Sequence, residues 1–458
     1  MKKTLNITLA SALALVSLHS QAAVDLVLHN AKVFTAEQGQ PLQQAVAVEQ
    51  GRIVMVGSDA QVLALKAPGT QVIDLQGKVL MPGFIDSHSH AIFGGLKLKA
   101  ADLETQQLPL DELEQRLRGW RDDGKARHGE ILSVSGFPST YWSQVDALEQ
   151  RFNQGEWTDV PILFVGWDYH TGWANRAMLK RGGIDAARVK ALQGEAQATI
   201  GHHPDSSPNG FVADAGLSAL TSQLPPPSFE QLLDAGRAAR DLNLSLGITA
   251  LMDPAANATP GDALFAMHPT AQTVGVLPVY KALAQKGELT LRVAALMVAN
   301  PKSRPADLEV LEQVRQQFLG VPNLSLPGIK IFADGVAEFP AQTASLLTPY
   351  KNSKKDGELL IDPAHFGELV SAADARGWLV HVHAIGDRAV RESLNGIEQA
   401  RRDRQSGVVH SITHLQMVSP KEFARFKPLD VIASMQLYWA AADELSIDLL
   451  QPLSLIHI

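Results

Sequence analysis

The chain has no cysteine among its 458 residues. Disulfide bonds, thiolate metal sites and cysteine nucleophiles are therefore excluded, and any metal ion must be held by histidine, carboxylate or a modified lysine. Positive charge is also scarce, because 40 lysines and arginines face 48 acidic residues, for a net charge of −8. This balance argues against a nucleic-acid partner and gives no sign of attraction to an anionic membrane.

Long apolar runs are scarce as well. One short run, Leu5–Leu18, follows Lys2 and Lys3 and precedes a small-x-small cleavage site at Ser20–Ala22. The run is too short to span a membrane comfortably, so we predict that residues 1–22 are a signal peptide rather than an anchor. No cysteine follows the cleavage site and no twin arginine precedes it, which excludes a lipoprotein and favours the general secretion route. We expect a periplasmic or secreted bacterial protein.

The remaining residues predict an α/β protein with two parts. Short β signals joined by glycine-containing turns fill residues 23–80 and indicate a small β-sheet or sandwich module. From residue 81 to 452, apolar strands such as Ile131–Val134 and Trp378–His383 alternate with amphipathic helices. That alternation indicates a parallel sheet covered by helices and approaches a (β/α)8 barrel.

Two stretches interrupt the alternation. Residues 151–227 are rich in glycine, proline, asparagine, aspartate and tryptophan, and residues 255–277 are rich in proline, alanine and threonine. Such segments usually run over the surface and carry binding residues. We therefore expect both to be insertions over the barrel mouth.

Val79–His90 reads VLMPGFIDSHSH and carries the first chemical signal. Residues two apart on a strand share a face, so His88 and His90 are predicted side by side, with Asp86 behind them. Neutral imidazole is a common zinc ligand, yet an isolated H-x-H is more often an ordinary polar pair. Later strands must supply further ligands if a metal binds here.

Lys330 lies in the apolar strand LPGIKIFADG, where a lysine is costly unless it is paired or chemically altered. One interpretation is a buried ion pair with a carboxylate, and another is a side chain that reaches the surface. The functional alternative is that the neutral amine takes up CO2 and becomes a carbamate that bridges two metal ions.

Two further strands offer histidines in pairs. HVHAIGD contains His381 and His383, and HSITHLQ contains His410 and His414. Active sites of α/β barrels lie at the carboxyl ends of the strands, which favours His383 and His414 as ligands. His381 is then interpreted as structural or as a neighbour of the ligands.

Seven blocks together resemble the metal-dependent amidohydrolase superfamily, in its YtcJ-like amidohydrolase 3 branch. These blocks are VLMPGFIDSHSH, WDYHTGWANRAML, NGFVADAG, GITALMD, GIKIFADG, HVHAIGDRAV and SITHLQMVSPKEFARF. The resemblance covers nearly all of the mature chain. It implies a distorted TIM-like barrel joined to a composite β-sandwich, of which residues 23–80 form the N-terminal part.

The resemblance also implies a binuclear site and its chemistry. His88 and His90 would bind one divalent ion, His383 and His414 the second, and a carbamylated Lys330 would bridge them. The site would hydrolyse a non-peptide amide C–N bond of a small molecule through a metal-activated hydroxide, with zinc as the expected ion. Three further residues, His170, Asn175 and Asp334, are candidates for the substrate pocket, with loop scaffolding an equal alternative for Asn175.

The chain departs from the family after Val431–Gln436, the block of the seventh barrel strand. The family's catalytic aspartate, at the end of an eighth strand, has no match, so no catalytic residue is nominated. The C-terminal sandwich strands are also unmatched. Leu453–Ile458 reads LSLIHI, which looks like a translated sequencing adapter and is expected to be non-native. We therefore expect the chain as written to be insoluble or inactive.

Two other functions stay open. A mononuclear deaminase of the same superfamily would not need a bridging lysine, so Lys330 disfavours it. A catalytically inactive binding or regulatory protein would bind no metal, and the histidines weigh against it. For assembly, a homodimer is an open alternative to a monomer.

Overall fold

The computed structural model describes residues 24–167, 171–192, 199–213, 215–262, 264–337, 342–351, 354–403 and 406–436. The chain divides into two compact units, residues 1–83 and 84–458. The predicted signal peptide and the tail Leu453–Ile458 lie outside the described residues. Within the described part of the chain, every helix is too short or too polar to cross a membrane.

The first unit contains two small sheets and one short helix. The elements of this unit are β1 (Leu26–His29), β2 (Lys32–Val33), β3 (Ala45–Glu49), β4 (Arg52–Gly57), α1 (Asp59–Leu63), β5 (Gln71–Asp74) and β6 (Val79–Leu80). The four-stranded sheet has the order β4-β3-β1-β5, and β2 pairs in parallel with β6. A capping box between Ser58 and Gln61 begins α1. Val27 and Val62 are fully buried in a small core between helix and sheet.

The second unit begins with one barrel strand and then an inserted subdomain. The elements are β7 (Phe84–Asp86), α2 (Ala91–Lys99), α3 (Leu110–Asp122), β8 (Arg127–His128), β9 (Ile131–Phe137), α4 (Val145–Phe152), β10 (Ile162–Gly166), β11 (Thr171–Ala174), α5 (Arg176–Arg181), α6 (Ala186–Ala191), β12 (Ile200–His202), β13 (Pro208–Ala213) and α7 (Ala215–Thr221). Strands β8 to β13 form a separate six-stranded mixed sheet in the order β12-β13-β11-β10-β9-β8.

This subdomain corrects two expectations from the sequence. β9 pairs with β10 and β8 instead of joining the barrel sheet, so Ile131–Val134 is not a barrel strand. Residues 151–227 are not simple loops, because two hydrophobic clusters pack against the sheet, one around Phe164 and one around Leu163. An apolar run predicts a buried strand but not the sheet that the strand joins.

The remaining elements belong to the main sheet and its helices. They are α8 (Phe229–Ser245), β14 (Ile248–Asp253), α9 (Leu277–Gln285), β15 (Arg292–Val298), α10 (Leu308–Gln316), β16 (Leu324–Phe332), α11 (Pro363–Ala375), β17 (Leu379–Ala384), α12 (Asp387–Asp403), β18 (His410–His414), α13 (Pro420–Phe426) and β19 (Val431–Ser434). Seven parallel strands form the main sheet, in the order β19-β18-β17-β16-β15-β14-β7. The described part of 255–277 before α9 contains only a short 3-10 turn at Leu264–Ala266.

The main sheet is curled. Among the described strands, β7 and β19 are its two edges. Ser87 follows the last residue of β7 and Ser434 is the last residue of β19, yet their hydroxyl oxygens lie 3.3 Å apart. Ile329, Val380 and Val382 are fully buried in the large core of this unit. The absence of an eighth strand is untested, because residues 437–458 lie outside the described part.

Candidate metal centre

His88 and His90 lie just after β7, so their assignment to a strand was wrong. The strand ends at Asp86, whose carboxylate accepts a hydrogen bond of 3.0 Å from the backbone N–H of His88. His90 is the N-cap residue of α2. The turn nevertheless brings the two rings together, with centroids 5.4 Å apart. The proximity comes from a turn held by Asp86 and not from strand alternation.

His383 and His414 lie near the carboxyl ends of β17 and β18, which are neighbouring parallel strands. Their ring centroids are 4.5 Å apart, and that of His414 lies 4.8 Å from the ring of His88. His414 has a φ of 77°, a left-handed conformation that is uncommon outside glycine and is often found at functional sites. The fold thus brings both predicted histidine pairs to one place.

Lys330 is buried in β16, with 1% of its surface exposed. Its Nζ lies 5.2 Å from the centre of the Phe332 ring, and within the described part of the chain no carboxylate forms an ion pair with it. Burial lowers its pKa well below the ordinary value. These observations contradict both the ion-pair interpretation and the surface-reaching side chain, at least among the described residues. A neutral amine remains, which is the form that reacts with CO2.

The four histidines are held in the neutral form. Burial lowers the pKa of His90 to about 4 and that of His383 to about 3. Burial, together with the neighbouring histidines, lowers the pKa values of His88 and His414 further. Neutral imidazole is the form that binds metal ions.

Two ligand candidates have a defined tautomer. His383 Nε2 lies 2.9 Å from the carbonyl oxygen of Gly335, so this nitrogen donates and Nδ1 is unprotonated. His414 Nδ1 lies 2.9 Å from Gln436 Oε1, so Nε2 is the unprotonated nitrogen there. In His90, Nδ1 is buried and has no hydrogen-bond partner in the described structure. A buried nitrogen of this kind is costly unless it binds something, and a divalent ion fits this donor set.

The three pocket candidates have different outcomes. His170 lies outside the described residues. Asn175 is a correction: it is fully buried, caps α5 through Met178 N–H, and also accepts a hydrogen bond from Ile162 N–H. Its amide nitrogen donates to three backbone carbonyl oxygens, those of Phe152, Trp157 and Val160. With its amide fully committed to the backbone, Asn175 is a scaffold for the inserted subdomain.

Asp334 is fully buried beside the site. Its carboxylate accepts hydrogen bonds from the backbone N–H groups of Ser345, Ile385 and Gly386, and one oxygen lies 3.8 Å from His383 Nε2. Burial raises its pKa to about 7. Asp334 therefore fixes the loops around His383, and nothing in its contacts exposes it to a substrate.

Several neighbours of the site carry no signal that could have been read from spacing. Phe265, from the 255–277 segment, packs edge-on against His383 with ring centroids 5.5 Å apart. Phe93 stacks on His90 at 5.8 Å. Gln436 donates to Thr413 Oγ1 as well as binding His414. Phe265 is distant in sequence from His383, so only the folded chain brings the two together, whereas Phe93 lies one helical turn after His90.

Another cluster lies in the inserted subdomain. The side chains of Asp146, Glu149 and His203 place one nitrogen or oxygen atom each within 4.8 Å of the other two. Among the described residues, no other three histidine, aspartate or glutamate side chains approach one another this closely. His203 Nε2 lies 2.8 Å from Glu149, and the His203 side chain is 37% exposed. It has the features of a hydrogen-bonded pair of surface side chains.

Three relatives resemble the chain over most of its length. Protein LONG AFTER FAR-RED 3 of Arabidopsis thaliana is 26% identical, covering 90% of this chain and 68% of that protein. Putative amidohydrolase YtcJ of Bacillus subtilis is 25% identical, covering 91% and 74%. N-substituted formamide deformylase of Arthrobacter pascens is 22% identical, covering 89% and 72%.

A crystal structure of an uncharacterized metal-dependent hydrolase from Pyrococcus furiosus has the same fold. It superimposes with a TM-score of 0.67 at 22% identity, covering 93% of this chain and 80% of that one. The model of the amidohydrolase family matches residues 71–452, which include every residue of the candidate metal centre. The chain therefore belongs to the amidohydrolase family, in its YtcJ-like group.

Proposed function

We propose that this protein hydrolyses non-peptide amide C–N bonds of small molecules at a centre for two divalent metal ions. His88 and His90 would hold one ion, His383 and His414 the other, and a carbamylated Lys330 would bridge them. Membership of the amidohydrolase family supports hydrolysis of C–N bonds in general. The choice of amide substrates draws on the formamide deformylase among the relatives.

The observation that carries the proposal is the burial of Lys330 beside four neutral histidines. An uncompensated buried ammonium would be costly, whereas a carbamate would place one negative charge where two cations need a shared ligand. Imidazole and carboxylate-type ligands without any thiolate suit zinc, and manganese, iron or cobalt can use the same set.

The chain's own residues would do the positioning. The turn held by Asp86 fixes the His88 and His90 pair, and Asp334 fixes the backbone of Ile385 and Gly386 just after His383. Gln436 holds the tautomer of His414 by accepting from its Nδ1–H. A bound divalent ion supplies Lewis-acid polarisation of an amide carbonyl and lowers the pKa of an attacking water.

We further propose that residues 1–22 are a removable leader and that the enzyme acts in the periplasm or outside the cell. Support for this comes from the sequence pattern alone.

Phe265 and Phe93, which pack on the histidines, give the described surroundings of the site an apolar character that suits a neutral amide.

The test is a substitution of Lys330 combined with elemental analysis. Wild-type protein loaded with zinc should hold two ions per chain, and Lys330→Met, which keeps the buried volume but cannot form a carbamate, should hold at most one. Release of amine from a panel of N-substituted formamides and acetamides should fall with the lost ion. Lys281→Met, at a partly exposed lysine on α9 that donates to the Gln317 carbonyl oxygen, is the control and should keep both ions.

Each other result has a definite meaning. Two ions in Lys330→Met would contradict the bridging carbamate. One ion in the wild type, with ammonia as product, would favour the deaminase. A wild-type chain that binds no metal would contradict a metal-dependent hydrolase and favour a binding or regulatory protein.

A further inference from the structure

His381 is the histidine of the HVHAIGD block that is not needed as a ligand, yet it lies in direct contact with one. It is 1% exposed, and its Nε2 lies 2.8 Å from Nδ1 of His88. Its other nitrogen, Nδ1, lies 2.6 Å from Ser411 Oγ. Both nitrogens of His381 are therefore occupied by protein partners, which leaves none for a metal ion.

The strand register places these three side chains together. His381 pairs with Ser411 across β17 and β18, and His381 also pairs with Lys330 across β16 and β17. His88 reaches His381 from a turn 293 residues away in sequence. The sheet therefore places Ser411 and His381 side by side, and the turn held by Asp86 brings His88 to them.

A hydrogen bond between two neutral imidazoles allows only two arrangements of protons. If His381 donated to His88 Nδ1, then His88 would carry its own proton on Nε2 and neither of its nitrogens could bind a metal. If His88 Nδ1–H donates to His381 Nε2, then His381 Nδ1–H donates to Ser411 Oγ and His88 Nε2 keeps its lone pair. The second arrangement is the one that makes His88 a ligand.

We propose that His381 is a positioning residue that, anchored by Ser411, accepts the proton of His88 Nδ1–H and so presents His88 Nε2 to the metal. This proposal rests on the proposed function, because it assigns His88 a metal ion. Partners that fix the tautomer and ring orientation of a ligand histidine typically change metal affinity about 10- to 100-fold when they are removed.

The first experiment observes the tautomers directly. In metal-free, full-length protein labelled with 15N-histidine, long-range 1H–15N NMR correlations should show His88 protonated on Nδ1 and His381 protonated on Nδ1. A His88 proton on Nε2 would overturn the proposal. This measurement needs neither activity nor bound metal.

The second experiment compares two substitutions by zinc competition with a chromophoric chelator. His381→Gln places an amide oxygen near the position of Nε2 and should keep affinity within a few-fold of the wild type. His381→Leu removes the acceptor and should weaken one of the two sites about 10- to 100-fold. Ser411→Ala should give a smaller loss, because His381 then loses the partner that fixes its tautomer.

The control is His410→Leu, which removes an equally buried histidine from β18. His410 accepts from Val380 N–H and lies 3.2 Å from Asp374, in contacts separate from the metal ligands. This variant should lose stability without a change in zinc affinity. If His381→Leu binds both ions as tightly as the wild type, the role of His381 is refuted while the proposed function stands. If the wild type binds no zinc, the proposed function itself fails.

Discussion

At the scale of single residues, burial decides which groups are charged. Asp253, at the end of β14, is 3% exposed and accepts hydrogen bonds from the Tyr280 hydroxyl at 2.6 Å and from Ala255 N–H at 3.1 Å. Burial raises its pKa to about 6, although both hydrogen bonds act in the opposite direction. Desolvation therefore outweighs hydrogen bonding at this carboxyl.

This shift predicts a pH dependence of stability. Because the pKa of Asp253 is higher in the folded than in the unfolded chain, its contribution to stability is full below about pH 4 and is lost as the pH rises through about 6. Asp253→Asn keeps the shape of the side chain without the titration. Between pH 4 and pH 7 the free energy of unfolding of the wild type should fall by up to about 3 kcal/mol relative to that of the variant.

Denaturant unfolding of the metal-free proteins at several pH values would measure this difference. Asp262→Asn, an exposed aspartate that accepts from Thr259, is the control for simple loss of charge. Parallel stability curves for wild type and Asp253→Asn would show that the carboxyl has no raised pKa in the folded state.

At the scale of secondary-structure elements, the contact between α2 and α8 positions the first pair of histidines. His90 is the N-cap residue of α2, and Gly95 in that helix lies directly against the backbone of Ala235 in α8. A Cβ atom at Gly95 would overlap the carbonyl oxygen of Ala235. Gly94, the neighbour in sequence, has open space at the same position.

These two glycines form a matched pair for mutation. Gly95→Ala should destabilise the protein by about 1–3 kcal/mol, because the helices must move apart. Gly94→Ala should stabilise it by up to about 1 kcal/mol through higher helix propensity. Thermal and denaturant unfolding would measure both changes. Equal effects of the two substitutions would contradict the close contact between the helices.

At the scale of the whole molecule, the described main sheet has two edges with exposed apolar side chains. Ile85 on β7 and Ile432 on β19 are both more than half exposed. Edge strands with apolar side chains are templates for pairing between molecules. The insolubility expected from the sequence stays a prediction, and these edges give it a structural basis.

Ile432→Lys tests this basis, since a lysine on an edge strand opposes intermolecular pairing. The variant should aggregate several-fold more slowly than the wild type in light-scattering measurements at constant temperature. Leu319→Lys, at an exposed leucine between α10 and β16, adds the same charge outside the two edge strands and should have little effect. Similar rates for Ile432→Lys and the wild type would show that β19 does not start aggregation.

Much of the fold and of the site can be predicted from the sequence, because the signals are local. Because side chains alternate along a strand, Ile329 and Ile331 are expected on one face of β16 and Lys330 on the opposite face. All three side chains are buried in the structure. The preference for His383 and His414 follows from their places at strand ends. The strand assignment for His88 and His90 failed, because spacing by two occurs in turns as well as in strands.

The sequence by itself determined the kinds of metal ligand available, since a chain without cysteine leaves histidine, carboxylate and modified lysine. It also determined the alternation of parallel strands and helices. Only the tertiary structure decided that Ile131–Phe137 joins a separate sheet, that Asn175 supports backbone, and that His381 contacts His88. The physical reason is that these outcomes depend on hydrogen bonds and packing with elements distant in sequence. A local sequence pattern indicates that a side chain or strand is buried, but the tertiary fold determines which group it contacts or hydrogen-bonds.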